Sequence, residues 1–179
     1  MNDITAELAK LHVLEGADFI IQLKAIAARN EFHPMKEAPN IYSTGGERST
    51  DYDNLLAAAR KAVDVGYRVF ILPNPNGIRT ADFILEQNGI YKMYDLKTIH
   101  GRSSAGNRLI ESIGQTSHVL LNMNTRYNGG RLATEIRSYF QLNPRACEVL
   151  IFKGKRVLTV KRKFALQKTF IIDFRKRYR

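Results

Sequence analysis

The stretch ADFILEQNGIYKMYDLKTI (residues 81–99) predicts two apolar strands joined by an Asn-Gly turn. An Asn-Gly pair between apolar runs is the strongest short-range signal of a β-hairpin. Three charged residues interrupt the pattern: Asp82 near the start of the first strand, and Asp95 and Lys97 at the end of the second. These three residues are either ordinary surface charges or part of a metal site. We interpret Glu86 separately, as a charge of the turn.

Strand geometry relates the three charges to one another. Because successive side chains alternate between the two faces of a strand, Asp95 and Lys97 leave the same face. If residue 85 or 86 pairs near Tyr91, Asp82 lies opposite residues 93–95. The sequence therefore predicts that the two acids lie close together.

Two neighbouring carboxylates repel each other unless a divalent cation lies between them. Hard oxygen ligands suit Mg²⁺ or Mn²⁺, and the main-chain carbonyl of Leu96 is a further candidate ligand. Lys97 would lower the pKa of an attacking water or stabilise negative charge on phosphate. The alternative is that Asp82 caps its strand and that Asp95 and Lys97 form an exposed ion pair worth ~0–1 kcal/mol.

The surrounding pattern predicts one mixed α/β domain. Apolar residues at helical spacing over residues 3–30 predict helices, with a break at Gly16, and residues 31–50 have the composition of a loop. We therefore expect a helical extension and linker over residues 1–45 and the main domain over residues 46–179. Strands that follow helices are continuous apolar runs, as in a sheet covered on both faces.

Two helices are predicted in detail. Residues 51–65 form a helix with an apolar face of four residues, and residues 129–143 form a second helix with four inward residues. The first face consists of Leu55, Leu56, Ala59 and Val63. The second consists of Leu132, Ile136, Tyr139 and Phe140. A second hairpin is predicted over residues 148–160.

Length and composition limit the class of protein. The 179 residues are 44% hydrophobic, which suffices for a core, and a single cysteine excludes an internal disulfide and a Cys-rich zinc cluster. No apolar run approaches the roughly 18–20 residues that cross a bilayer. The N-terminus has no basic segment followed by an apolar block, so we expect no signal peptide. We expect a cytoplasmic site of action, and the chain could be part of a larger delivered protein.

The positive charge is concentrated at the C-terminus. Residues 153–179 contain eleven Lys or Arg and one acid, whereas the other 152 residues contain 17 basic and 16 acidic side chains. Such a block is typical of contact with a polyanion. A solvated tail or an anionic membrane surface would also explain it. The interleaved aromatic residues suit base stacking or packing equally well; they are Phe164, Phe170, Phe174 and Tyr178.

Taken together, an Asp, twelve residues, then Asp-x-Lys across a hairpin, followed by a helix and a strand, resembles the PD-(D/E)XK superfamily of restriction-endonuclease-like nucleases. Within it, residues 66–99 are similar to the C-terminal toxin domains of contact-dependent growth inhibition proteins, many of which cleave tRNA. Similar modules are attached to phage and mobile-element proteins. The resemblance spans residues 51–161.

The resemblance implies roles for individual residues. Asp82, Asp95 and Lys97 match the two acids and the lysine of the motif. The family often has Pro before the first acid, where this chain has Ala81, and it has a Glu in the preceding helix. That helix contains no Glu here, so Asp53 is the substitute and Glu47 the alternative. Gln115 would orient the lysine or a phosphate, and other residues would contact nucleic acid: Ser104, Asn107, Lys161, Arg162, Lys163, Arg175, Lys176 and Arg177.

The resemblance also implies function. We expect a restriction-endonuclease-like sheet flanked by helices and a Mg²⁺-dependent or Mn²⁺-dependent endonuclease, with tRNA favoured and DNA open. An acidic immunity protein is an expected partner. The rival interpretations are a non-catalytic nucleic-acid-binding or phage-associated module that keeps the fold, and an interaction domain that binds an acidic protein.

Overall fold

The computed structural model describes residues 4–45, 51–73, 80–101 and 104–179, and within these ranges it contains both helices and strands. This mixture confirms the predicted α/β class. The helices of these ranges are α1 (Ile4–Lys10), α2 (Gly16–Ala27), α3 (Tyr52–Asp64), α4 (Ala105–Glu111), α5 (Gly129–Leu142), α6 (Arg162–Ala165) and α7 (Phe170–Tyr178), with a 3-10 turn (Leu11–Val13) after α1. The strands are β1 (His33–Met35), β2 (Ala38–Ser43), β3 (Arg68–Ile71), β4 (Phe83–Gln87), β5 (Ile90–Ile99), β6 (His118–Met123), β7 (Glu148–Lys153) and β8 (Arg156–Lys161).

The strands pair in chain order from β1 to β8. The ten-residue strand β5 makes this possible, because residues 90–94 pair with β4 and residues 95–99 pair with β6. The chain forms two compact units that divide within β5, Met1–Tyr94 and Asp95–Arg179. The boundary predicted between residues 45 and 46 stays a prediction. No helix in the described ranges is long and apolar enough to cross a bilayer.

The predicted hairpin and its register are confirmed. Strands β4 and β5 pair antiparallel with Glu86 opposite Tyr91. Both turn residues have positive φ, 53° at Asn88 and 77° at Gly89. Such a turn twists in the same sense as the strands it joins, and Asn-Gly adopts it at little cost. The turn sequence thus determines which residues face each other.

Glu86 is a buried strand residue, and its interpretation as a turn charge was wrong. It is 7% exposed, and its carboxylate accepts hydrogen bonds from Arg68 Nε at 2.5 Å and from the Gly89 amide at 2.7 Å. Burial by itself would raise the pKa of Glu86, but the Arg68 guanidinium and the Gly89 amide outweigh burial and lower that pKa. The carboxylate therefore holds the turn against β3.

Glu86→Gln is expected to lower the free energy of unfolding by about 1 kcal/mol at neutral pH, because it weakens two charge-assisted bonds. Since the folded pKa lies below the unfolded one, this stability is fully present above the ordinary carboxyl pKa of 4.5. It is lost as the pH falls through the folded value. Urea unfolding of both proteins at pH 7 and pH 3 checks this; an equal difference at both values would contradict it.

In the first unit, the N-terminal helices pack on one face of the sheet. Leu23 and Ile26 of α2 are fully buried in a cluster with Phe70, Ile84 and Met93. Gly16 has φ +58°, as expected for the predicted break before α2. Residues 31–50 were predicted as a loop, yet β1 and β2 lie within them, and β2 pairs parallel with β3.

Helix α3 begins after Asp51 as predicted, but its buried face differs. Ala58, Ala59 and Ala62 are fully buried, whereas the predicted Leu55, Leu56 and Val63 are only half-buried. The helix contacts β2 and β3. Small side chains at the centre of the contact allow a helix to approach a sheet closely, and this places the larger residues at its margins. The prediction gave most weight to large apolar side chains, and it therefore misplaced the buried face of α3.

In the second unit, β5, β6 and β7 are parallel and β8 is antiparallel to β7. One face of this sheet is covered by α4 to α7. The inward residues predicted for α5 are all buried, as confirmed for Leu132, Ile136, Tyr139 and Phe140. Asp95 pairs with Val119 and Lys97 with Leu121, so both charges lie on this helix-covered face.

The start of α5 is packed against the end of α7. A Cβ atom added at Gly129 would lie 2.9 Å from the Tyr178 ring, closer than side chains approach each other. The Tyr178 ring stacks on Phe174 and lies 4.0 Å from the Lys153 ammonium. These neighbours hold the ring in place, so residue 129 has no room for a side chain.

Candidate active site and basic surface

A buried aspartate on β5 forms the centre of the candidate site. Asp95 is 2% exposed, and the Lys97 ammonium lies 2.9 Å from its Oδ2 and 3.1 Å from its Oδ1. The Lys97 side chain is 15% exposed. The predicted common face is confirmed, and the alternative of an exposed ion pair is wrong. Their catalytic role stays a prediction.

Gln115, four residues beyond α4, contacts the same carboxylate. With its nitrogen toward Asp95, the amide donates to Oδ1 at 2.5 Å and to Oδ2 at 3.1 Å. A carboxylate only accepts hydrogen bonds, so the nitrogen must face it. Gln115 was expected to orient the lysine or a phosphate; the structure places it on Asp95 instead. The aspartate is therefore held from two sides.

Further buried polar residues lie behind the aspartate on the helical layer. Tyr139 is 1% exposed, and its hydroxyl accepts a hydrogen bond from Asn143 at 3.3 Å. Burial raises the pKa of Tyr139, hydrogen bonds with Ser112 and Asn143 partly offset this, and the negative charge of Asp95 adds to the rise. Tyr139 therefore stays a neutral hydroxyl near the aspartate. Nothing in the sequence distinguished it from an apolar core residue.

The other predicted acids belong to the first unit. Asp82 is half-buried directly before β4; its amide donates to Tyr94 O at 3.0 Å, and its carbonyl accepts from the Leu72 amide at 2.9 Å. Asp53 is exposed in the first turn of α3. Glu47 lies outside the described residues. The contacts described above thus join Asp95 to Lys97 and Gln115.

The pairing of β5 gives the direction of the Leu96 carbonyl, whose ligand role stays a prediction. Backbone groups of alternate residues point to opposite edges of a strand. Tyr94 O accepts a bond from the β4 side, and Ile99 O accepts one from Asn124, which follows β6. Leu96 lies two residues after Tyr94, so its carbonyl points to the same edge of the strand as that of Tyr94, away from β6. Asp95 and Leu96 therefore offer two hard oxygen donors.

A cation here would need more than these side chains. In the described part of the chain, no three His, Cys, Asp or Glu residues are grouped closely enough to hold a metal ion. Mg²⁺ usually keeps several waters and takes one or two carboxylates. The donor set of Asp95, the Leu96 carbonyl and water fits that habit.

Ser104 has a structural role at the start of α4. Its hydroxyl accepts from the Asn107 amide at 3.4 Å, as a helix N-cap does, and donates to Glu135 at 3.2 Å. Glu135 also accepts from the Tyr127 hydroxyl at 2.7 Å and from Arg131 at 3.0 Å. The nucleic-acid contact expected of Ser104 and of the exposed Asn107 stays a prediction.

The aromatic residues of the C-terminal segment pack into the core. Phe170, Phe174 and Tyr178 are at most 2% exposed, and Phe164 meets Phe170 edge-on at 5.0 Å. Of the two interpretations left open for these rings, the structure supports packing. After β8 the segment forms α6 and α7, and their buried residues belong to the core cluster of the second unit.

The basic residues of this segment fall into two classes. Arg162 donates to Phe140 O at 2.7 Å and to Asn143 O at 2.9 Å, so it caps the end of α5. The Lys153 ammonium donates to Tyr178 O. The others are exposed: Lys155, Arg156, Lys161, Lys163, Lys168, Arg175, Lys176, Arg177 and Arg179. We call these nine residues the basic surface.

The charge imbalance follows the two units. Residues 95–179 contain 18 basic and 5 acidic side chains, whereas residues 1–94 contain 10 basic and 12 acidic ones. Among the described residues of the second unit, ion pairs join Asp95 to Lys97, Glu111 to Arg108 and Glu135 to Arg131. The unit that carries the buried aspartate therefore has all of the excess positive charge.

No known protein family and no curated protein matches this sequence. Among solved structures, a chain of the CdiA-CT/CdiI toxin and immunity complex from Burkholderia pseudomallei is similar in backbone, with 15% identity and a TM-score of 0.47. The likeness covers 68% of this chain and 98% of that chain.

Proposed function

We propose that the protein is a metal-dependent nuclease that hydrolyses phosphodiester bonds in nucleic acid. The observation that carries the proposal is the buried Asp95 carboxylate, bonded to Lys97 two residues further along one strand. This is the Asp-x-Lys pair of the motif that the sequence resembles. The excess of positive charge on the same unit favours a polyanionic substrate.

Each residue of the site has a defined role in this proposal. Asp95, the Leu96 carbonyl and Asp82 would hold Mg²⁺ or Mn²⁺, which when bound supplies Lewis-acid stabilisation of the phosphate. In the hairpin, Phe83 lies opposite Tyr94, and Asp82 directly precedes Phe83 as Asp95 directly follows Tyr94. This register supports the inclusion of Asp82. Lys97 presents a fixed positive charge for the negative charge that develops on phosphate. Gln115 holds the carboxylate in one orientation, as outer-shell residues do.

The direct test is cleavage by the full chain. We expect tRNA to be cut in Mg²⁺ or Mn²⁺ and left intact in EDTA, with plasmid DNA as the second substrate. Restoration of activity when Mg²⁺ is added in excess of EDTA controls for damage by the chelator. Equal cleavage with and without divalent cation would contradict metal dependence, and intact substrates under every condition would contradict the nuclease.

The second candidate function is non-catalytic binding of nucleic acid, as in a module that keeps the nuclease fold. One observation favours it: both oxygens of Asp95 already accept hydrogen bonds, from Lys97 and Gln115. A ligand would have to share or displace these donors. Binding of nucleic acid without cleavage in any divalent cation would select this candidate.

An acidic immunity protein and delivery as part of a larger toxin remain proposals of the same kind. The basic surface and the net charge of its unit support an acidic partner. Such a partner would compete with nucleic acid for the same residues.

A further inference from the structure

We propose that the basic surface binds base-paired nucleic acid along its phosphate backbones, without stacking on unpaired bases. This inference rests on the proposed nucleic-acid substrate and narrows its class. Duplex RNA and duplex DNA present the same backbone charges, so the inference covers both.

The described residues offer no aromatic platform on which a base could stack. Proteins that hold single strands combine positive charge with exposed aromatic faces, and each stacked base contributes about 1–3 kcal/mol. All 17 Phe and Tyr residues of this chain lie in its described parts, none of them is exposed, and the chain has no Trp. The basic surface therefore has no aromatic face to offer a base.

Two aromatic residues of the second unit are only half-buried, Tyr127 and Phe164. The Arg131 guanidinium lies over the Tyr127 ring at 5.4 Å, and the Arg177 guanidinium lies over the Phe164 ring at 4.7 Å. An arginine thus lies over each of these two rings, which places a cation where a base would have to stack.

The positive charge extends along the sheet of the second unit. Strand pairing aligns Asp95, Val119, Val149 and Val160 in one row, and Lys161 follows directly, so Lys161 lies at the same end of the sheet as Asp95. Asp95 and that residue are three strand spacings apart, about 14 Å.

The rest of the basic surface extends to the opposite end. Lys155 and Arg156 lie at the turn between β7 and β8, and the bond from Lys153 to Tyr178 O brings the end of α7 there as well. The five residue steps of β7 make the two ends about 17 Å apart. A duplex carries one negative charge per ~1.7 Å of axis, so about ten phosphates fit this length.

The test compares duplexes with their separated strands. Labelled RNA and DNA duplexes and their component strands are titrated with the full chain in EDTA, at several salt concentrations, by fluorescence anisotropy. We expect each duplex to bind about tenfold more tightly than its strands, with a linear fall of log K against log salt. Equal or tighter binding of single strands would overturn the inference.

Three double substitutions of equal charge locate the contact. Lys161→Gln with Lys163→Gln, and separately Lys176→Gln with Arg179→Gln, should each reduce the duplex salt slope by about 2. The control is Lys10→Gln with Lys36→Gln, two exposed lysines of the first unit, which should leave the slope unchanged. An unchanged slope for the pair at residues 176 and 179 would overturn the extended placement.

These outcomes separate the inference from the proposed function. Tighter binding of duplexes without cleavage in Mg²⁺ would contradict the nuclease activity but support duplex binding by the basic surface. Metal-dependent cleavage with tighter binding of single strands would support the nuclease activity and contradict duplex binding. Binding to neither form, together with no cleavage in Mg²⁺, would overturn both and would favour an acidic protein as the partner of the basic surface.

Discussion

Lys97→Met is expected to lower the free energy of unfolding by about 3–5 kcal/mol, because it removes one partner of a buried ion pair. The substitution keeps the length and packing of the side chain but removes its charge. Asp95, with a side chain only 3% exposed, would then carry a buried negative charge without the ammonium that lies 2.9 Å from its Oδ2. Urea unfolding of both proteins at neutral pH measures the difference.

The matched control removes both charges. Asp95→Asn combined with Lys97→Met leaves no uncompensated charge, so most of the lost stability should return. The two single variants and the double variant together form a thermodynamic cycle that isolates the energy of the pair. A loss below about 1 kcal/mol for Lys97→Met would instead describe a solvent-exposed pair, contrary to the burial seen here.

The second large effect concerns activity. Asp95→Asn and Asp82→Asn are each expected to reduce metal-dependent cleavage by about 10²–10³, because each removes a ligand whose cation supplies several kcal/mol. Initial rates at saturating Mg²⁺ measure the loss, and circular dichroism confirms that each variant is folded. A variant at position 82 with normal activity would remove that residue from the site.

Two matched substitutions on helix α3 test whether Asp53 is the third acid of the site. Asp53 and Asp64 are both exposed on α3, so Asp53→Asn and Asp64→Asn change the charge of α3 equally. If Asp53 serves the reaction, only its substitution should slow cleavage, by tenfold or more. Equal rates for the two variants would assign the role elsewhere.

Local chemistry explains the parts of the fold that the sequence predicted well. An Asn-Gly turn defines its own register, so the hairpin and the shared face of Asp95 and Lys97 followed from spacing alone. Helix α5 has a regular apolar stripe, and its bounds and inward residues agreed with the prediction. In each case a few neighbouring residues contain the whole signal.

Non-local pairing explains the strands that were missed. Strand β1 has three residues and contains Pro34, and β2 contains Pro39, which is uncommon inside strands. Their strand conformation depends on partners: β1 pairs with β2, and β2 pairs with β3 across more than twenty residues of chain. Single-sequence propensity contains no information about such partners.

The same limit applies to the candidate site. Asp95 and Lys97 were predicted from one strand, whereas Tyr139 comes near Asp95 only because α5 packs on the helix-covered face. Similarly, Arg162 looked like part of a uniform basic tail until its bonds to the end of α5 were seen. Charge and aromatic content predicted a surface, but only packing shows which residues remain on it.

The contact between Gly129 and Tyr178 has a consequence for how this sequence can evolve. With the Tyr178 ring 2.9 Å from the position of a Cβ, a side chain at residue 129 requires a smaller residue at 178 or a displaced α7. The two positions are 49 residues apart in sequence. In relatives that keep both helices, we expect them to change together, so that a glycine at the first position accompanies an aromatic residue at the second.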